Sequence, residues 1–270
     1  MSEYQEIQTS GLILDHVSAL DTLAVQTADT VVRAGSLLLE SGAEVYRVEE
    51  TMRRLGLSIP GVRECIGYVS ATGIICTAVC EDGMATRVAR IFGGQRNLWV
   101  LNAVNTLSRE SEEKHFSVAE INKRLDEIKQ YPTYPLGMRV LFAAIGTAGF
   151  ALFFNGGLED MAASFVIGMI LQIMGDFLSS RHLHSFLVSL IQAFAAVILS
   201  WLSEQILPGC TESIVVISSL MLLVPGLAIT NAIRDTMMGD YLSGMARLME
   251  AFITAGALTI GAGLGLYLIR

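Results

Sequence analysis

The residues with most chemistry to offer crowd into one stretch: Asn231-Ala-Ile-Arg234-Asp235-x3-Gly239-Asp240-x3-Gly244-x2-Arg247-x2-Glu250. From Arg234 to Glu250, five ionisable residues fall within seventeen positions, punctuated by glycine and followed directly by a long apolar run. A carboxylate such as Asp235 or Asp240 beside an arginine can take and release a proton or hold a charged substrate. Just upstream, Pro225-Gly226 interrupts an apolar segment. Proline removes a helix hydrogen bond and glycine loosens the turn, freeing backbone groups that need partners. In transporters such broken helices line substrate sites; a tolerated proline kink is the plainer reading.

A second polar pattern is Gly168, Gln172 and Asp176, spaced i, i+4, i+8, which puts an amide and a carboxylate on one helix face. A carboxylate at membrane depth costs on the order of 2.5–3.5 kcal/mol on insertion scales and usually faces a wet cavity. Asp176 also lies within a turn of the end of its segment, so placement at the interface remains open beside a place on a pathway. Ser185, Ser189, Gln192 and Ser200 form a weaker seam on the next segment. Nearer the start, Ser41, Gly42, Glu44, Arg47 and Glu49 are candidates for ligand or partner contact. Solvated charge is the bland alternative for the Arg and Glu residues there.

Other constellations carry little. Cys65, Cys76, Cys80 and Cys210 include no CxxC pair and suit structural, reduced thiols. His182 and His184 form an HxH that no cysteine or carboxylate cluster completes, so no metal site is expected. No phosphate loop, nucleophile elbow or triad is visible, and neither an enzyme nor a bound cofactor is expected.

The elements that must position these residues follow from composition. Of 270 residues, 52% are hydrophobic and 16% charged, against about 25% charged in a soluble chain. That excludes a disordered chain. With a net charge of −8, it also argues against a nucleic-acid partner, which needs a clustered basic excess. Residues 1–139 hold fourteen of the eighteen Lys and Arg and eighteen of the twenty-six Asp and Glu. Long uncharged runs occur only after Pro135. The expected fold is a multi-pass α-helical membrane protein of about five transmembrane helices with an N-terminal cytoplasmic α+β domain. The domains are 1–135 and 136–270, with spans near 136–154, 161–178, 186–202, 214–233 and 251–269. Met1–Ser10 is polar and acidic, unlike a secretory signal. The loops holding Arg181, Arg234 and Arg247 are predicted inside, and the acidic loops 155–160 and 203–213 outside. Hence the N-terminus is expected in the cytoplasm and the C-terminus outside; Arg270 alone breaks the pattern.

In the polar part, residues 12–56 read as two helices broken at Ser41-Gly42. Ser41-x-x-Glu44 has the form of a capping box, and Gly56 that of a C-terminal cap. Cys65–Ser70, Ile74–Cys80 and Met84–Ile91 read as strands, with Glu81-Asp82-Gly83 as a hairpin turn and Gly93-Gly94 ending the last. Helices follow at Asn97–Arg109 and Val118–Gln130, the second capped by Ser117-x-x-Glu120. Among the spans, Ala257, Gly261 and Gly265 form a small-residue face that lets another helix approach. Packing inside the chain can use it, but a partner subunit or homo-oligomer is expected, because five spans rarely enclose a polar path alone.

Taken together, Val224-Pro225-Gly226, Thr230-Asn231-Ala232-Ile233-Arg234-Asp235, Gly239-Asp240, Ser243-Gly244 and Ala246-Arg247 through Glu250-Ala251 resemble the ThrE-type threonine/serine exporter family. Ser41-Gly42-Ala43-Glu44, Arg47-Val48-Glu49 and the Met52–Gly56 run look like that family's N-terminal pattern. The resemblance covers about residues 20–270. It implies an inner-membrane exporter, driven by the proton gradient, for small amino acids or, in split members, dicarboxylates such as succinate. Fused members have a second set of spans after the block ending here at Leu268. The resemblance therefore implies the longer subunit of a split exporter, partnered by membrane lipid, a shorter membrane subunit and a small-molecule substrate. The alternative is a membrane-anchored protein whose soluble domain senses a ligand.

Overall fold

The structure is a computed structural model that describes residues 22–91, 94, 96–131, 134–181 and 183–269. Residues 12–21 of the expected first helix, Gly93, His182 and Arg270 lie outside the described residues. Contacts divide the chain into two units. Met1–Tyr131 groups with Ile233–Met245, and Pro132–Ala232 with Ala246–Arg270.

In the first unit, α1 (Leu23–Glu40) starts where the Thr22 hydroxyl accepts the Val25 N–H. It buries Ala24, Ala28, Val31 and Leu38 at helical spacing. Gly42 turns the chain at φ +89°, a conformation open to glycine without penalty. Helix α2 (Val45–Ser58) then buries Val45, Val48, Met52 and Leu55. Two local expectations fail here. The Ser41/Glu44 capping box does not form: Ser41 ends α1, and the Glu44 side chain makes no cap bond. Both halves of the box are otherwise engaged. The Ser41 N–H closes α1 on the Leu37 and Leu38 carbonyls, and the Glu44 carboxylate goes to Arg234 and Arg47. The Val45 N–H at the start of α2 goes to the carboxylate of Asp235. Nor does Gly56 end α2, which runs on to Ser58. The Cys65 side chain packs directly where a Cβ on Gly56 would stand, so this glycine permits close helix–strand approach.

Strands β1 (Val62–Ser70), β2 (Gly73–Cys80) and β3 (Gly83–Arg90) form an antiparallel meander in the order β1-β2-β3. Tyr68 lies opposite Ile75 and Ile75 opposite Val88, which fixes the register. Alternation sends Cys65, Val69, Ile74 and Cys76 into the core and leaves Ile66, Tyr68, Ile75 and Val88 exposed. Helix α3 (Leu98–Lys114) begins where Asn97 accepts the Trp99 and Val100 N–H groups. Helix α4 (Val118–Gln130) begins where Ser117 accepts the Glu120 N–H. Ile121 and Leu125 of α4 complete one core with Leu38, Met52, Leu55 and Ile74.

The apolar half forms α5 (Leu136–Phe153), α6 (Leu158–Ser180), α7 (Ser185–Ile206), α8 (Glu212–Met221), α9 (Gly226–Met237) and α10 (Tyr241–Ile269). Four of these are long and apolar enough to cross a membrane; α8 and α9, bent by 51°, make a fifth if the pair is one span. The expected break is present: the helix stops at Met221 and resumes at Gly226. Pro225 has no N–H to donate and disfavours helical backbone at Val224. Gly261 and Gly265 lie against the Leu190 carbonyl and Val197, so the small-residue face of α10 is used for packing on α7. Between α5 and α6, the buried Thr147 hydroxyl reaches the Ser164 carbonyl at 2.8 Å.

Candidate functional site

Ion pairs and backbone hydrogen bonds in the first unit bring together two stretches that are far apart in sequence. The start of α2 presents Glu44, the Val45 N–H and Arg47, and segment 233–245 meets them. Arg234 pairs with the Glu44 carboxylate at 2.5 Å, and Arg47 reaches its other oxygen at 3.4 Å. Asp235, fully buried, accepts the Val45 N–H at 3.1 Å through Oδ1. Its negative charge thus sits at the positive end of the α2 dipole. Ser243 accepts the Ala71 N–H at 3.2 Å, in the β1–β2 turn. Glu49, one turn along α2, accepts the Val69 N–H at 2.9 Å. Ser41 is buried at the end of α1, and its carbonyl accepts the Asn97 N–H.

The two glutamates of this junction are poised in opposite directions. Burial pushes the Glu44 carboxyl up, but its own backbone N–H together with Arg234 and Arg47 outweighs that and holds it below the ordinary carboxylate range. Glu49 stands above that range: burial raises it, the Val69 N–H opposes, and the negative charge of Asp240 adds to the rise. The arrangement can therefore fasten segment 233–245 to α2 and β1 and can respond to protonation.

The second unit holds a separate polar cluster. Asp176 on α6 pairs with Arg139 on α5 at 3.1 Å, and the Gln172 amide donates to the same carboxylate oxygen at 3.3 Å. Both charged side chains are partly exposed on the helix surface, 27% for Asp176 and 40% for Arg139. Gln192 on α7 is buried and donates to the Leu171 carbonyl at 2.8 Å, packed beside Gly175. Near the other end of α6, buried Asp160 accepts the Gly157 N–H at 2.9 Å and the Thr211 N–H at 2.6 Å. Pro225 lies in the break and Gly226 opens α9, on which Asn231 is buried. Arg247 is half-buried and Glu250 exposed on α10.

Three participants escape the sequence reading. Arg139 is counted there only in the polar half, although it sits one turn into an apolar helix, where a lone cation calls for a partner. Asp160 reads as one more acidic loop residue, yet Gly157-x-x-Asp160 places it at the third position of a helix, where carboxylates cap. Ser243 offers no signal of its own, because its partner is the backbone of a distant turn.

Apolar helices of membrane-spanning length, one of them broken and followed along the chain by charged residues, define a multi-pass membrane transporter carrying a small α+β unit. The chain belongs to the ThrE family, described as "Putative threonine/serine exporter", which it matches over residues 29–269. It is 29% identical to the "Probable succinate transporter subunit YjjP" of Klebsiella aerogenes, over 83% of this chain and 86% of that one. With the protein of that name in Escherichia coli (strain K12) it shares 27% identity, over 87% and 91% of the two chains. The "Threonine/serine exporter" of Corynebacterium glutamicum is 24% identical over 87% of this chain but only 50% of its own length. No solved structure matches.

Proposed function

We propose that the chain is one subunit of a secondary, proton-coupled exporter of small carboxylate-bearing metabolites, either threonine- and serine-like amino acids or a dicarboxylate such as succinate. It sits in the inner membrane with the α+β unit in the cytoplasm. A shorter membrane subunit supplies the remaining spans. The relatives support this division, since the chain covers most of two proteins named as subunits but half of the longer exporter.

Coupling is carried by one observation: Asp176 holds a side-chain cation, Arg139, and an amide on apolar helices while staying partly exposed. A carboxylate with exchangeable partners and an exposed face can load and release a proton. The substrate carboxylate is assigned to the break between α8 and α9, where the first N–H groups of α9 lack helix partners. Arg234, paired with Glu44, and the carboxylates Asp235 and Asp240 flank it along the chain; Arg247 and Glu250 follow. With the partner subunit in loaded vesicles, Asp176→Asn should abolish the response of export to an imposed pH gradient while leaving substrate exchange. Asp235→Asn and Asp240→Asn are measured alongside. Wild-type coupling in all three variants would remove proton coupling from this chain, and comparing threonine, serine and succinate fixes the substrate.

A further inference from the structure

One face of the meander packs on α1 and α2, and strand alternation sends the other outward. On the outward face Ile66, Tyr68, Ile75, Met84 and Val88 are all exposed, by 42% to 73%. The register makes them neighbours. Tyr68, Ile75 and Val88 form one row across the three strands, Ile66 lies two residues back along β1, and Met84 stands at the far end on β3. A contiguous apolar patch of this kind on a soluble unit marks an interaction site, and Tyr and Met are enriched in protein interfaces.

Charge selects the occupant. Of the residues paired in register along this face, only Glu64 and Arg90 are charged, and both are exposed. They stand at opposite corners: Glu64 is opposite Val79 near the start of β1, and Arg90 is opposite Gly73 at the end of β3. One negative and one positive corner leave the face without net charge, so it lacks the basic cluster that draws a protein to anionic lipid. The same pattern is complementary to itself. A twofold axis lying between two such faces, perpendicular to the Glu64–Arg90 diagonal, brings each Glu64 to the partner's Arg90, so one contact forms two ion pairs. The axis crosses β2 midway between Val79 and Gly73, beside Ile75 and Thr77, so Ile75 lies near its own copy. Arg90 has a contact within its own chain, and the five donors of a guanidinium leave room for a second.

We propose that this sheet face is a homodimer contact, on which a second copy of the chain packs about that axis with two Glu64–Arg90 ion pairs at the rim. The face is smaller than the roughly 20–30 residues a side of a standard interface. Two chains held in one membrane meet at a raised effective concentration, which offsets the small area. The contact does not depend on the exporter reading, because it is measured without transport. On that reading, an exporter built this way contains at least two copies of this chain.

The test is cross-linking of the full-length chain in membranes. Thr77→Cys, beside the axis, should give a covalent dimer with a short bismaleimide, whereas the wild type, whose four cysteines are buried, should not. Glu113→Cys, exposed on α3, should stay monomeric and measures random collision. Added to Thr77→Cys, Glu64→Arg and Arg90→Glu should each cut the dimer at least about fivefold, with unaltered thermal unfolding. The two reversals together should restore most of it. A Thr77→Cys yield no greater than that of Glu113→Cys, an undiminished yield in either reversal, or no recovery in the double reversal overturns the proposal. Shielding of the Thr77→Cys thiol from N-ethylmaleimide without a dimer overturns it too. Relief of that shielding on removal of residues 1–20 would assign the face to that segment, and relief in detergent would assign it to lipid.

Discussion

Asp235 and Asp160 are both buried and both held by backbone N–H groups, whereas Asp176 is partly exposed and held by side chains. The first two sit in different units yet share a physical role. A carboxylate that satisfies backbone donors in a dry setting cannot change partner without leaving those donors bare, so it fastens. Asp176 can part from Arg139 and Gln172 without leaving a backbone donor bare, so it can switch. The difference separates the carboxylates that build the molecule from the one suited to move charge, although all three are the same residue type.

The comparison breaks most easily at Asp160. Alanine there strips two backbone donors, at Gly157 and Thr211, of their partner and should destabilise the second unit by about 2–3 kcal/mol. The thermal unfolding midpoint in detergent reads this, with Asp176→Ala as the reference. Equal loss in the two variants would erase the distinction between fastening and switching.

Asp235→Ala comes next. It removes the acceptor at the start of α2, an effect of about 1–2 kcal/mol by analogy with lost helix caps. Hydrogen exchange should show faster opening at the Val45 amide. Ser41→Ala, by contrast, should leave that amide protected, because no capping box exists to lose. Faster exchange at the Glu44 amide in Ser41→Ala would restore the local cap.

These two aspartates also mark where the sequence stops being readable. Where the determinant is local, the expected element appears: Ser117 starts α4, Glu81-Asp82 turns β2 into β3, and Pro225 breaks the helix before α9. Four long apolar helices follow from hydropathy alone. The failures are tertiary. Ser41-x-x-Glu44 satisfies a local pattern, but Glu44 and the Val45 N–H are claimed by Arg234 and Asp235, 190 residues away. Gly56 resembles a cap and instead makes room for Cys65. Both halves of the junction are legible as candidates, since ionisable clusters beside glycine are conspicuous in an apolar chain. Their contact is not, because no periodicity links Glu44 to Arg234.

The smallest effect sharpens the comparison within the junction itself. Glu44 lies below the ordinary carboxylate value of 4.5 and Glu49 above it. Stability contributed by Glu44 is present above 4.5 and lost as pH falls through its lowered value. Glu49 acts oppositely: folding favours its protonated form, so the first unit weakens as pH rises from 4.5 through its raised value. Glu49 faces Asp240 and shares its cavity with Arg53, Arg63, Glu50 and Glu64, and it is only half-buried. Solvent screening therefore keeps the change under about 1 kcal/mol. Hydrogen exchange at the amides of segment 233–245 should rise in this window, after correction for intrinsic pH dependence, and Glu49→Gln should flatten the rise. Asp240→Asn should flatten it in part, because burial of Glu49 remains. An unchanged slope in Glu49→Gln would assign the pH response to a group other than Glu49, and not to Glu44, whose contribution runs in the opposite sense below 4.5.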